Sequence, residues 1–447
     1  MKFLKRLAIA FAILLAIVVA APFFIPVGSY IPQIEKLVAE KLKEPVKIAA
    51  LKVAILPLPH ATLEGVTVGK APDIDIQAIT VTPDVFSLFD TVKIIKSIEV
   101  EGATVKQAAF AKMPDWIKSD GTPAQVRIGR LLIRAARMEL KKSVFGPFDA
   151  EVLLDQDGGL DKALITSADG KLRATVTPVK KNFAIDISAK DWQLPVGSSG
   201  GPPLKFAQLN ARGEAGATYL NFPEINGSLY GGNFKGAAIL NWKSAWQLKG
   251  EMNAAKIDLQ SLAPVLNPDI KVSGKLDAKS NFSSHANTAG QLADALRLES
   301  VFQVYQGVLY NVDIAQAAQS FLKGGSKGGE TRFDVISGHL LMDAAGHHFR
   351  DLKISSGTLA ASGKLDISPK QQLQGRITAE LKVGISLVAV PLDVSGSVKE
   401  PVLFPTKGAM AGAAAGTALL GPAGTALGVK AGSALEKLLG KKPAASK

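Results

Sequence analysis

The sequence predicts a mostly β protein, with an N-terminal transmembrane helix, an elongated antiparallel β-sheet, a few short helices and a Gly/Ala-rich helical C-terminal tail. Three observations carry that reading. A charge-free apolar run opens the chain, the long middle alternates apolar with polar residues, and glycine-bearing turns interrupt the alternation. The 447 residues are 47% hydrophobic, enough to bury a core, and 42 glycines with 24 prolines suit a chain of many turns. With no cysteine there is no disulfide framework, thiolate metal site or cysteine nucleophile. The net charge of +13 comes from singly scattered basic residues without interleaved aromatics. It argues for a solvated basic surface or for anionic headgroups, and against nucleic acid as a partner.

The first element begins with Lys2, Lys5 and Arg6, after which Leu7 to Val27 carry no charge. As a helix these 21 residues span ~31 Å, about the hydrocarbon thickness of a bilayer. Leu7, Phe11, Leu14, Leu15 and Val18 are the expected membrane-anchor residues, and the leading positive charge keeps that end in the cytoplasm. Val18-Val19-Ala20-Ala21 offers a cleavage site as the alternative. Pro22 follows it badly, however, and the apolar run continues through Phe23, Phe24 and Ile25. A retained anchor is expected. Next, Ile34, Leu37, Val38, Lys41 and Leu42 mark one face of a short helix that stops before Pro45.

From about Val46 to Phe404 the dominant period is two. DIDIQAITVTP alternates Ile74, Ile76 and Ala78 with Asp73, Asp75 and Gln77, and KIIKSIEVEGATVKQ and NFAIDISAKDW do the same. GRITAELKVGIS places Ile377, Ala379, Leu381, Val383 and Ile385 on one face against Thr378, Glu380 and Lys382. Asp157-Gly158, Asp169-Gly170 and Asn226-Gly227 are the expected turns. Short strands with no regular helix between them argue for antiparallel pairing. SGKLD occurs twice, from Ser273 and from Ser362, and suggests similar sheet units used twice. QLADALRLES and DIAQAAQSFLKG are the best helical stretches of the body. The sheet can hide its apolar face as a barrel, as a sandwich or by curling around a groove. Five Tyr and four Trp are too few for the aromatic girdles of an outer-membrane barrel.

No chemistry-bearing constellation emerges. Of the five histidines, His60, His285, His339, His347 and His348, the last two are adjacent and point to opposite faces of a strand. DQDGGLD places Gly159 where a calcium loop needs an oxygen ligand, and reads as a hairpin turn. LKGGSKGGET puts Glu330 where a phosphate loop needs Lys, and reads as a connector. No metal, no cofactor and no enzymatic activity are expected. The tail is more specific. Between Lys407 and Lys430 lie 22 uncharged residues, with Gly408, Gly412 and Gly416 spaced by four, as are Gly424, Gly428 and Gly432. Each set makes a smooth stripe for close helix approach, and Gly421-Pro422 turns the chain between two halves that are each too short to span a bilayer. The tail reads either as a helical hairpin packed on itself, on a partner or on a bilayer, or as a loose Ala/Gly tail.

In order and spacing, several blocks resemble the AsmA family of membrane-anchored periplasmic proteins. They are IEKLVAEKLKEPVKIAALKVAILPLPHATLEGVTVG, VFSLFDTVKIIKSIEVEGATVKQ, FQVYQGVLYNVDIAQAAQSF, TRFDVISGHLLMDAAGHHFRDLKISSGTLAASGKLDIS and VPLDVSGSVKEPVLFPTK. The expected organisation is an anchor over 1–28, an AsmA-like segment over 29–120, a central sheet region over 121–290, an AsmA-like C-terminal domain over 291–405 and the tail over 406–447. The resemblance implies a U-shaped sheet with an apolar inner face, held to the inner membrane of a Gram-negative envelope with its body in the periplasm. It also implies a role in outer-membrane biogenesis, moving phospholipids in a groove similar to that of bridge-like lipid transfer proteins. Leu365, Ile367, Ile377, Leu381, Val383 and Ile385 are the groove candidates on that reading. The tail becomes a candidate contact to the outer membrane or to another envelope protein. The alternative role is a non-transporting assembly factor for outer-membrane proteins, binding through exposed strand edges.

Overall fold

The computed structural model describes residues 27–439 except 72, 111–125, 141–142, 156–158, 195–201, 321–325, 358 and 384–385. The expected anchor residues Leu7, Phe11, Leu14, Leu15 and Val18 lie outside these described residues, so the transmembrane helix expected there finds no support in the structure. Among the described residues no helix is long and apolar enough to cross a membrane. The described residues are mostly β, with 63% of them in strands. It divides into two compact units.

The first unit comprises residues 1–200, 208–221 and 288–290. Its sheet contains β1 (Val46–Ala54), β2 (His60–Val68), β3 (Ile74–Pro83), β4 (Lys93–Glu101), β5 (Thr104–Lys106) and β6 (Val126–Leu140). It continues with β7 (Ser143–Leu154), β8 (Leu160–Ser167), β9 (Leu172–Val179) and β10 (Asn182–Leu194). Pairing is antiparallel except where β6 runs parallel to β4 and β5. The strict alternation cannot reveal that exception, because it depends on the crossover between β5 and β6, which exceeds the dozen residues a parallel link needs.

Helix α1 (Ile31–Leu42) opens this unit and ends at Lys43, whose left-handed φ of 54° stops the helix before Pro45. Its Ile31, Ile34, Ala39 and Leu42 pack on Val46, Ile48, Val66 and Val68. Leu37 and Val38, expected on the packed face, are instead 65% and 37% exposed. The packed stripe runs Ile31, Ile34, Ala39 and Leu42 and carries Glu35, which accepts from the Ile48 N–H at 2.8 Å, so Leu37 falls on the outer side. The four-residue α2 (Gln107–Phe110) follows β5.

The second unit holds the rest of the chain, with the strands β11 (Leu204–Ala215) and β12 (Tyr219–Leu229) divided between the two units. Its further strands are β13 (Gly232–Asn241), β14 (Trp246–Asp258), β15 (Lys275–Ala286), β16 (Arg297–Tyr310), β17 (Ser326–Lys327) and β18 (Glu330–Asp343). They are followed by β19 (Gly346–Ser355), β20 (Leu359–Ile367), β21 (Leu373–Val383), β22 (Ser386–Gly396) and β23 (Pro401–Pro405). Helices α3 (Leu259–Leu266), α4 (Ile314–Gln319) and α5 (Lys407–Leu439) complete it.

Two local expectations fail here for identifiable reasons. Asn226-Gly227 lies inside β12, and the turn falls at Tyr230-Gly231, whose φ values of 47° and 74° are both positive. QLADALRLES forms no α-helix: a 3-10 turn at Ala289–Gln291 precedes β16, whose Arg297 and Leu298 pair with Ser283 and Phe282. Pairing with β15 outweighs the helical spacing of Leu292, Ala295 and Leu296. The expectations at DIAQAAQSFLKG and DQDGGLD are met by α4 and by the β7–β8 turn, where the Asp155 N–H donates to Gly159 O at 2.8 Å. Asp157-Gly158 itself lies outside the described residues.

Candidate functional site

Strand register turns the alternating sequence into a surface. Directly paired residues share a face, so the register can be followed across the first unit from strand to strand. One row runs Leu51, Leu63, Ile79, Val100, Ile133, Ala150, Ile165, Ala174 and Ile187. A second row, two residues along each strand, runs Val53, Ala61, Val81, Ile98, Leu131, Val152, Ala163, Val176 and Ile185. Every position is apolar. The column between them, which faces the other way, reads Lys52, Thr62, Thr80, Glu99, Leu132, Glu151, Leu164, Thr175 and Asp186. Ion pairs brace that polar face, Lys52 Nζ to Glu64 at 2.7 Å and Arg130 to Glu151 at 2.6 Å.

The double row is only partly covered. Ala163 and Ala174 are buried, Val53 is exposed, and the other members are half-buried. Near the start of the double row, Leu63 and Ile79 pack against the cluster of Val46, Ile48, Val66 and Val68 that α1 also covers. Among the described residues, the short elements that pack on the strands beyond are the one-turn α2, at β5 and β6, and the 3-10 turn Phe86–Phe89, at β4. Eight steps of ~4.8 Å make the face ~38 Å wide, and the two rows stand ~7 Å apart.

The second unit treats its apolar face differently. Val304, Ile336, Ile354, Ala361, Ala379 and Val390 form one register row, and all six are buried. Helix α4 covers them with Ile314, Ala317 and Ala318, none more than 1% exposed, and α5 adds Ala409, Ala413 and Val429. Asp313 caps α4 by accepting from the Gln316 N–H at 2.8 Å.

The groove candidates fall around this covered face. Ile377 is buried in the core, opposite Leu392, and Leu365 packs against the same cluster opposite Gly375. Ile367 is half-buried opposite Leu373. Leu381 and Val383 occupy β21 positions paired with Leu359 and Ser386, and Ile385 lies outside the described residues. The two SGKLD copies agree in one respect: Leu276 and Leu365 pack against one cluster. Sequence reasoning missed the first-unit rows, although their alternation is visible in KIIKSIEVEGATVKQ and NFAIDISAKDW. Register was the missing information.

The tail glycines meet one another. Residues Lys407–Leu439 are helical throughout, yet a Cβ built on Gly412 would lie 2.0 Å from Gly428 O, and one on Gly416 would lie 2.1 Å from Gly424 O. A straight helix would separate Gly412 and Gly428 by ~24 Å. The segment therefore doubles back as two arms whose glycine stripes face each other. The Thr417 and Thr425 hydroxyls bond at 2.6 Å, and at the base Thr406 Oγ1 donates to Glu436 at 2.7 Å. Arg376 reaches the same carboxylate at 3.4 Å.

The adjacent histidines point to opposite faces. His347 pairs with Ile367 on the apolar side, where burial first, and then the charge of His348, pushes its imidazole pKa below the usual value. His348 Nδ1 meets Asp366 at 2.6 Å, and Arg350 donates to the same carboxylate at 2.7 Å. Burial pushes the Asp366 carboxyl up, but these two partners outweigh it and hold it below the ordinary carboxylate range. Among the described residues no group of three His, Asp or Glu side chains is placed to hold a metal ion.

A chain that begins with an apolar run, folds α1 onto a β1–β2 hairpin and continues into an apolar-faced sheet can be compared with known families. Residues 1–112 match the AsmA family. The AsmA match covers about a quarter of the chain, from its start through α2. No curated protein and no solved structure matches the chain.

Proposed function

We propose that this protein is an envelope component that binds phospholipids and guides them toward the outer membrane, with acyl chains against apolar strand rows and headgroups in water. The observation that carries the proposal is the half-covered double row across nine strands of the first unit. Each methylene moved from water onto such a surface gains up to ~0.8 kcal/mol, and no polar group on these rows opposes it. Movement along the rows requires no catalytic residue, cofactor or metal. The N-terminal apolar run is the proposed inner-membrane anchor, with its leading lysines in the cytoplasm and the body in the periplasm. The AsmA match over residues 1–112 supports this placement. The tail hairpin, with Leu419, Leu427 and Leu435 exposed, is the proposed contact to another membrane or envelope protein.

The test is the lipid content of the purified protein. The full-length chain is extracted from membranes, stripped of bulk lipid on a detergent-exchange column, and its organic extract is analysed by mass spectrometry. Several phospholipids per chain are expected, with fewer in an Ile165→Asp variant that retains its β circular dichroism. A folded, lipid-free wild-type protein would overturn the proposal and favour the assembly-factor role.

A further inference from the structure

Four strongly exposed large apolar side chains of the first unit lie off the sheet face, at two loops. Phe89 is 93% exposed and Phe86 83%, while Leu56 and Leu58 are each 56% exposed. Two loops carry them, 55–59 between β1 and β2 and 84–92 between β3 and β4. Register places both at one end of the sheet, since Ala54 pairs with His60, and Pro83 pairs with Ile95 beside it. Four large apolar groups thus share one strand end, where solvent contact has no folding benefit.

The second loop is built to hold its phenylalanines outward. Ser87 is 3% exposed; its hydroxyl donates to Asp84 O at 2.8 Å and accepts from the Ile94 N–H at 2.8 Å. Asp84 Oδ1 accepts from the Phe86 N–H at 3.0 Å, closing an Asx turn. The serine is the buried member of the 3-10 turn Phe86–Phe89, so Phe86 and Phe89 are left on its outer side. The first loop is tied as well, with His60 Nδ1 2.8 Å from Leu58 O.

Chain direction identifies the occupant. Helix α1 and β1 are joined by the short turn after Leu42, and α1 packs back over β1 and β2. Twelve helical residues plus the 3-10 turn Val27–Tyr30 return the chain ~26 Å along a strand of ~30 Å. Glu35 accepts from the Ile48 N–H at 2.8 Å and the 3-10 turn lies against β1, so the chain climbs β1 from its start and carries Val27 toward the end that bears the two loops. The sequence before it, Leu7 to Val27, is the charge-free run of bilayer length. Lys93, at the root of the second loop, donates its Nζ to Asp90 O at 2.5 Å, which holds its positive charge at this strand end.

We infer that Leu56, Leu58, Phe86 and Phe89 form an interfacial foot that enters the headgroup–acyl boundary of the membrane into which the N-terminal run inserts. Large apolar side chains at the end of a rigid element, beside a basic residue, favour that boundary over water. The foot would fix the height and orientation of the sheet end on the bilayer, which a single tether cannot do. It shares with the proposed function only the membrane. Its failure would leave the apolar rows untouched, because those are read by lipid content.

The absence of cysteine gives a direct test. Full-length Phe89→Cys and Leu56→Cys proteins are labelled with an environment-sensitive fluorophore and reconstituted in phosphatidylethanolamine–phosphatidylglycerol (3:1) vesicles. Lys171→Cys, at the opposite strand ends, is the control. The expected result is a blue-shifted emission at 89 and 56 that is quenched by lipids spin-labelled near the headgroup, with no quenching at 171. Phe86→Asp together with Phe89→Asp should remove most of the quenching at 56 while leaving the protein folded, since both side chains are already outside the core. A label at 89 that stays in water, or one that is shielded without lipid quenching because protein covers it, would overturn the inference.

Discussion

Replacing Gly412 with leucine separates a packed hairpin from a loose helical tail. In an unpacked helix, glycine is ~1 kcal/mol worse than a good helix former, so the change would stabilise the tail by about that amount. The structure reverses the sign. Even a Cβ at position 412 would lie 2.0 Å from Gly428 O and 2.9 Å from Gly432 Cα, and both are backbone atoms that cannot rotate away. Overpacking of this kind costs ~1–3 kcal/mol. If the arms part instead, Val429, which is 0% exposed, loses burial worth ~1.5–3 kcal/mol. Subtracting the propensity gain leaves a net loss of up to ~2 kcal/mol, expressed in α5 and in its seat on β22. Hydrogen exchange by mass spectrometry reads this directly, as loss of protection over 407–439. Ala414→Gly, at an exposed position, is the control and should cost only the ~1 kcal/mol of propensity. Equal or increased protection in Gly412→Leu would refute the facing glycine stripes.

Two further outcomes follow from the second unit. Leu392→Ala empties a site that is 0% exposed between β21 and β23, and should cost ~2–5 kcal/mol, read as a lower urea midpoint. His347 has a folded pKa depressed by burial and by His348, so its neutral form favours the folded state. That stability is present above the ordinary imidazole value of ~6.5 and is lost as pH falls through the lower folded value. The melting temperature should decline across that interval, and His347→Leu should flatten the decline; an unchanged slope would remove the histidine from the account.

Much of the fold is legible in local pattern because a half-covered sheet must alternate. DIDIQAITVTP becomes β3 and GRITAELKVGIS becomes β21, and of the two readings the four-residue glycine spacing left open, the facing arms are the one that forms. What escapes the sequence depends on distant partners. Nothing local marks β6 as parallel to β4, and QLADALRLES yields to pairing with β15. The candidate site divides the same way. Ile377 and Leu365 are correctly apolar, but α4 and α5 cover the face on which they pack. The rows through Ile133 and Ile165 stay half-covered, a contrast that depends on which helices pack where. A one-residue error of register would exchange Ile133 for Leu132 and the apolar rows for Glu99, Glu151 and Asp186.

That exchange defines the most direct test of the central claim. A photo-crosslinking amino acid is placed singly at Ile133, Ile165 and Ile185, and at Glu99, Glu151 and Thr175, in the full-length protein in cells labelled with radioactive phosphate. The account expects phospholipid adducts at the first three positions and none at the second three. Adducts on both faces, or on neither in a protein of normal abundance, would contradict it.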